Sequence, residues 1–568
     1  MQKAVSKPQS LDGEGVSLKE GSLGAFRWLL SNKTFFNIIL RYMFKIFKNI
    51  HRGFLFMKRH FKKVIFLVVL ISVSLFFAAC ENPAAVEEEA ESYWPRSTPE
   101  AQGMDSEALL EMLEFSAARG LDIHSMLIVR NGHMVVESDF YPYRSDALHM
   151  VHSITKNVTA TLVGIAIEEG YIESVDQKMV ELLPDLDLTH LDERVKDITV
   201  EDLLTMQTGI YWGGAGSASS YEMFIESDNQ LMYALENEFA NDPGEVHEYN
   251  SGSTHILSVI LTEATGKSTR EYGEEKLFEP LGISDIQWAV DLQGYYMGGD
   301  MLLIKPKDLA KFGLLYLQQG VWEGEQIVPK DWVEISTQNH VEQGYYGYSW
   351  WIPDMDGYVG SGIAGQHLVI LPEEDMVVVI TSGVGSRAYG FLNTFTKNWI
   401  LGAVADREPI DENEDAYTRL QEKIEQLDSP DEAFENIDLP DTAAEISGNT
   451  YLMDNGESFT FEFTEDPEAT LIWHREGMEE EDEVIIGLDN VFRGNRIENF
   501  VLSNQIDTDA MIRGHWEDDT TFILDFKCLE NPMAYFYEFQ FEGDSLHHTR
   551  TNRLNNSVYL EATGTVSE

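Results

Sequence analysis

Residues 152–170 read HSITKNVTATLVGIAIEEG. From 153 to 169 the run is apolar on nearly every side and stops at Gly170, the pattern of a central, buried helix. Other segments say what surrounds it. SMLIVRNGHMVVESDF (125–140) sets two apolar runs about Asn131-Gly132, a hairpin signal with a type I′ turn. HLVILPEEDMVVVITSG (367–383) reads as two strands joined by an acidic turn. ITVEDLLTMQTGI (198–210), THILSVILTEATG (254–266) and PKDLAKFGLLYLQQG (306–320) read as helices, the last amphipathic through Leu309, Phe312, Leu315 and Tyr316. Hairpin strands at both ends with helices between them imply an α+β architecture, an antiparallel sheet flanked by helices.

The pattern changes after about residue 405. Residues 411–445 hold thirteen Asp/Glu against two Lys/Arg, with Pro430 and Pro440, and read as a solvated helix plus linker. Beyond 446 the period becomes two: Phe459, Phe461, Phe463; Phe522, Leu524, Phe526; Tyr535, Tyr537, Phe539, Phe541. Short alternating strands at this density predict an all-β domain, a sandwich or a barrel. Cys528 continues one alternation and is expected to be a small buried core residue.

At the other end the charge changes sign. Residues 1–79 carry 13 Lys/Arg against 3 Asp/Glu, although the whole chain of 568 residues has a net charge of −57. From Met57, a basic stretch (Lys58, Arg59, Lys62, Lys63) precedes sixteen mainly apolar residues, Val64 to Ala79, ending at Cys80. Sixteen is short for a span of about 20 residues and fits a signal-peptide core. The run FAAC resembles the bacterial lipobox, which implies a mature chain acylated on Cys80 and held at the outer face of a membrane. The expected divisions are therefore 1–56 upstream extension, 57–79 lipoprotein signal peptide, 80–94 acidic leash, 95–405 first domain, 406–445 acidic helix and linker, and 446–568 all-β domain. An uncleaved single-span anchor is the alternative. The acidic body argues against nucleic-acid binding, and the sequence leaves the oligomeric state unspecified.

Several motifs fail. GSGIAG (360–365) matches GxGxxG but leads into a strand, where a dinucleotide site needs a helix N-terminus. GxSxG, Walker A, HExxH and paired CxxC patterns are absent, and the fifteen histidines show no ligand spacing. No metal or other cofactor is expected. What remains is the start of the opening stretch. Ser153 and Lys156 stand at i and i+3, on one helix face. A desolvated lysine beside a serine can take its proton as a neutral amine. The plain alternative is that Ser153 caps the helix and Lys156 reaches solvent.

SITK is followed by EYNS (248–251) and by GSG (360–362) opening a strand pair. That order and spacing resemble the serine β-lactamase and penicillin-binding protein superfamily, in its class C-like branch. ITVEDLLTMQTGI, FEPLGI (278–283), KDLAKFGLLYL (307–317) and YGYSWWI (346–352) look like that family's connecting segments, so the resemblance covers roughly 95–400. It implies Ser153 as acyl-forming nucleophile, Lys156 as its base and Tyr249 as the proton-transfer tyrosine of the Y-x-N motif. It implies an oxyanion hole from the N–H of Ser153 and one from the strand after Gly362. The C-terminal domain resembles the lipocalin-like modules appended to such hydrolases.

Two departures stand out. Ser251 occupies the motif's third position, where asparagine is usual, and is expected to reach Lys156. Gly360-Ser361-Gly362 stands where lactamases and transpeptidases have Lys-Thr-Gly, so the cation that holds a substrate carboxylate is missing. Arg387 is the nearest replacement by sequence. His149 and His152 are alternative bases, with a structural role the simpler expectation. The implied function is a lipid-anchored, extracytoplasmic serine hydrolase acting through an acyl-enzyme on an ester or amide. The alternatives are a non-catalytic penicillin-binding-like sensor, a true β-lactamase, and a D-alanyl carboxypeptidase.

Overall fold

The computed structural model describes residues 93–567 apart from 214–217, 386–387, 465, 479, 502–505, 533–534 and 553–556. The signal segment, Cys80 and Arg387 lie outside the described residues.

The first domain is built on five antiparallel strands: β1 (Ile123–Arg130), β2 (His133–Asp139), β3 (Tyr358–Gly362), β4 (Gln366–Leu371) and β5 (Met376–Ser382). Their order is β2-β1-β5-β4-β3, so the N-terminal hairpin closes against the last strand of the domain. Asn131 and Gly132 both take positive φ (50° and 74°), as a type I′ turn requires. β1 and β5 are buried along their whole length. Leu127, Val129, Val377 and Val379 face one core, while Met126, Ile128, Val378 and Ile380 face another. Helices therefore cover both faces, which is why the strands read as continuous apolar runs.

The helices that position the site are α1 (Ser106–Ala118), α2 (Thr155–Glu168), α3 (Ser251–Thr265), α4 (Pro306–Leu317), α5 (Ala388–Phe395) and α6 (Glu414–Asp428). In α2 every residue from Thr155 to Ala166 is buried. Gly164 is obligatory there, because a Cβ would sit 2.3 Å from the ring of Trp332. α6 differs from the solvated helix expected of its charge. Ala416 and Leu420 are fully buried, Ile424 and Leu427 pack on the same core, and Arg419 pairs with Glu107 of α1. Four apolar residues on one face dock the helix, and the charges occupy the other.

The C-terminal domain has ten strands: β6 (Thr450–Met453), β7 (Ser458–Phe463), β8 (Glu468–His474), β9 (Asp482–Gly487), β10 (Arg493–Val501), β11 (Ile506–Trp516), β12 (Thr521–Cys528), β13 (Tyr535–Glu542), β14 (Ser545–Asn552) and β15 (Ser557–Val566). First and last strands pair (Tyr451 with Val566), and Gly487 of β9 meets Arg513 of β11 in parallel, so the sheet closes as a barrel. The alternating aromatics point inward. Phe459, Phe461, Phe522, Phe539 and Phe541 are at most 2% exposed. The cavity left among Phe459, Leu471, Trp473, Val484, Ile512, Leu524, Phe526 and Tyr537 is about 10 Å³, at the limit for a single water. At that level side chains fill the barrel interior. Cys528 is buried at 1% exposure, and burial pushes its thiol up to about 12.

The barrel touches the first domain close to the central helix. The loop after β12 offers the Glu530 carbonyl to the Met150 amide (2.7 Å). Lys527 lies over the Tyr143 ring (5.2 Å) and 3.8 Å from Asp122.

Candidate active site

The segment before α2 is one tight 3-10 turn, His152–Ile154, so Ser153 precedes the α-helix proper. The residues at the cap positions of turn and helix are Val151 and Ile154, and neither helix start has a side-chain cap. Ser153 is thus no helix cap. Its Oγ accepts a hydrogen bond from Lys156 Nζ at 2.9 Å, and Lys156 is 1% exposed. The capping alternative, with the lysine in solvent, is excluded on both counts. Lys156 Nζ also donates to the Gly299 carbonyl at 2.5 Å.

Tyr249 lies just before α3, and its ring centroid is 5.0 Å from Lys156 Nζ. Trp351 stacks on it at 5.4 Å, and Tyr346 meets it edge-on at 6.2 Å. These rings form one apolar wall around the tyrosine. Asn250 caps α3, with its Oδ1 accepting from the amides of Gly252 and Ser253. Ser251 is buried at the start of the helix. Among the described residues Lys156 bonds Ser153 Oγ and the Gly299 carbonyl rather than Ser251.

β3 crosses the turn that carries Ser153 at close quarters. A Cβ on Gly362 would lie 2.4 Å from the Val151 carbonyl oxygen and 3.0 Å from His152 Cβ. One on Gly360 would lie 2.8 Å from Asn157 Oδ1. Asn157 is itself fixed by donating to the Ser349 carbonyl at 2.8 Å. The place from which a motif lysine would project is therefore closed by an amide. Ser361, on the strand's other face, is half-buried and pairs across the strands with His367.

The two candidate histidines part company. His149 Nε2 lies 2.8 Å from His124 Nδ1, and burial together with His124 holds it well below the ordinary imidazole range. It is a neutral structural residue. His152 has φ 47°, uncommon for a residue other than glycine, and donates from Nδ1 to Asp300 Oδ1 at 3.1 Å.

Asp300 was not singled out by sequence. Its carboxylate also accepts from Tyr221 Oη (2.5 Å) and from the Met301 amide (2.7 Å). Burial alone would raise this carboxyl, but His152, Lys156 and the Tyr221 hydroxyl outweigh it and hold the group down at about 2. The turn that carries Asp300 lies tightly on α3: a Cβ on Gly298 would be 2.1 Å from the Thr254 carbonyl oxygen, and one on Gly299 2.7 Å from that of Ser251. The Gly298-Gly299 pair is the one local sequence mark of this turn.

A serine bonded to a buried lysine at the mouth of a central helix, with a tyrosine beside the amine and a glycine strand across the turn, is an arrangement chemically able to support acyl transfer through the serine on this α+β frame. The family model described as Beta-lactamase matches residues 114–388, so that segment is similar to the β-lactamase and penicillin-binding-protein-like superfamily. A 6-aminohexanoate-dimer hydrolase of Paenarthrobacter ureafaciens is 25% identical over 283 residues, 45% of this chain and 71% of that protein. Among solved structures, the octameric penicillin-binding protein homologue from Pyrococcus abyssi is 17% identical with a TM-score of 0.40, over 80% of this chain and 99% of that one. A family VIII carboxylesterase is 16% identical with a TM-score of 0.41, over 59% and 98% of the two chains.

Proposed function

We propose that this chain is a serine hydrolase that cleaves neutral esters or amides through an acyl-enzyme on Ser153. The observation that carries the reading is the 2.9 Å bond between Ser153 Oγ and a lysine removed from solvent. Oγ attacks the acyl carbon, forming the Oγ–C bond as its proton passes to Lys156 Nζ. The oxyanion is met by the N–H of Ser153 and one beyond Gly362, an arrangement supported by the close passage of β3 along residues 151–152. The leaving oxygen or nitrogen departs with a proton relayed through Lys156 and Tyr249. Water then enters by the reverse proton path and frees the acid. The relative named a 6-aminohexanoate-dimer hydrolase supports including amides.

Substrate charge follows from the strand. A cation facing a substrate carboxylate contributes about 1.5–3 kcal/mol of charge-assisted hydrogen bonding, and Gly360 with Asn157 closes that position. The test is kcat/KM for a short-chain aryl ester against a chromogenic cephalosporin. The ester is expected to be the better substrate, and preference for the cephalosporin would make this a lactamase. The lipobox-like run before Cys80 supports a lipid anchor outside the cytoplasm. Mass spectrometry of membrane-extracted protein should find an acylated Cys80 at the N-terminus, and a mature chain retaining residues 1–56 would refute the anchor.

A further inference from the structure

The serine–lysine pair leaves one buried anion unexplained. Asp300 is 5% exposed and is tied to both sides of the pair through its neighbours. Its carboxylate holds His152, the residue before Ser153, while the carbonyl of the residue before it, Gly299, holds Lys156. A buried carboxylate is costly unless its partners compensate it. Three donors converge on this one from three separate segments: His152 Nδ1, Tyr221 Oη and the Met301 amide. His152 is held in a positive-φ conformation at the same point, which persists only where surrounding contacts over-determine it. Both the charge and the strain converge on the nucleophile turn.

We propose that Asp300 is the positioning residue and counter-ion of the Ser153–Lys156 pair, fixing the turn through His152 and stabilising the ammonium that forms on Lys156 during acylation. The inference rests on the reading of Ser153 and Lys156 given above. In the step itself the Ser153 proton goes to Lys156 Nζ, the Oγ–C bond forms, and Asp300 stays ionised throughout. It is the logic by which a buried aspartate serves a histidine base, here applied to a lysine. The groups that titrate around the carboxylate are His152, Lys156 and Tyr221, with Tyr249 beside Tyr221.

The test is Asp300→Asn in the full chain, which retains an acceptor for His152 and removes the charge. With an aryl ester, kcat is expected to fall about 10²-fold with KM within a few-fold. The acid limb of kcat/KM should move to lower pH by about one unit, because an anion no longer favours protonation at the site. A kcat within threefold of wild type, or a loss of rate with the limb unmoved, overturns the inference. Should that variant not fold, His152→Gln takes its place. It keeps the carboxylate but loosens the turn, so kcat is expected to fall by about tenfold while the acid limb stays where it is. An unchanged kcat, or a limb that moves as far as about one unit, overturns the inference. Ser153→Ala run alongside separates the two claims: if it remains active, the nucleophile assignment fails, and if only the Asp300 variant behaves as wild type, this inference fails alone.

Discussion

One cation from each domain, Arg550 in the barrel and Lys156 in the first domain, is held in the opposite way to the other. In the barrel, Arg550 reaches both carboxylate oxygens of Glu457, one of them at 2.6 Å, and its guanidinium lies 5.1 Å from the rings of both Trp473 and Tyr537. Trp473 Nε1 donates to the same carboxylate at 3.1 Å, and Arg550 Nε donates to His548 Nε2 at 3.2 Å. In the hydrolase domain, Lys156 is more deeply buried, yet its direct partners are a hydroxyl and a carbonyl, both neutral. Arginine keeps its proton in any protein environment, whereas lysine can surrender one. Arg550 is matched charge for charge by Glu457. Lys156 is left with partners that tolerate either of its states, which is what a base needs.

The largest effect expected of this contrast is at Lys156. Lys156→Arg keeps a positive charge but cannot accept a proton, so ester hydrolysis should fall by about 10³-fold or more. Activity within a few-fold of wild type would show that the base is elsewhere. In the barrel the loss should appear in stability alone. Removing one member of a buried pair costs about 3–5 kcal/mol, so Glu457→Gln should lower the denaturation midpoint of the barrel and leave kcat/KM of the remaining folded protein near wild type. Replacing both partners, Glu457→Leu with Arg550→Met, should recover much of that loss. A double variant as unstable as the single one would contradict the account of a matched pair.

A smaller effect separates the two sites by pH. Burial and the neighbouring Arg550 push the His548 imidazole down to about 3. As a neutral ring it donates from Nδ1 to the Glu538 carbonyl (3.1 Å) and accepts from Arg550. A histidine with a lowered folded-state value contributes stability that is present above about pH 6.5 and is lost progressively as pH falls towards 3. By pH 5 the loss is about 2 kcal/mol. Urea midpoints measured at pH 7 and pH 5 should differ accordingly, with the gap reduced in His548→Phe. An equal gap in that variant would assign the acid sensitivity to other groups.

What could be read from sequence was what repeats or lies close along the chain. The all-apolar run of α2, the Asn131-Gly132 hairpin and the alternating aromatics each declare themselves within twenty residues. Ser153 and Lys156 are three apart, so one helical turn brings them together. Asp300 and Tyr221 are 148 and 69 positions from His152, with no local period to tie them, and only the packing of the Gly298-Gly299 turn on α3 shows their convergence. The docking of α6 was masked by its charge count, although its apolar face keeps helical spacing. Barrel and sandwich share the same alternation in sequence, and the choice between them lies in the pairing of Tyr451 with Val566 and the meeting of Gly487 with Arg513.

The central claim is that the Ser153–Lys156 pair forms an acyl-enzyme. Intact-mass and peptide-mapping spectrometry after treatment with an electrophilic phosphonate tests it most directly. The expected result is one adduct per chain, on Ser153, lost in Ser153→Ala and formed far more slowly in Lys156→Arg. An active preparation labelled at another serine, or one that hydrolyses esters while Ser153 stays unmodified and replaceable, would contradict it.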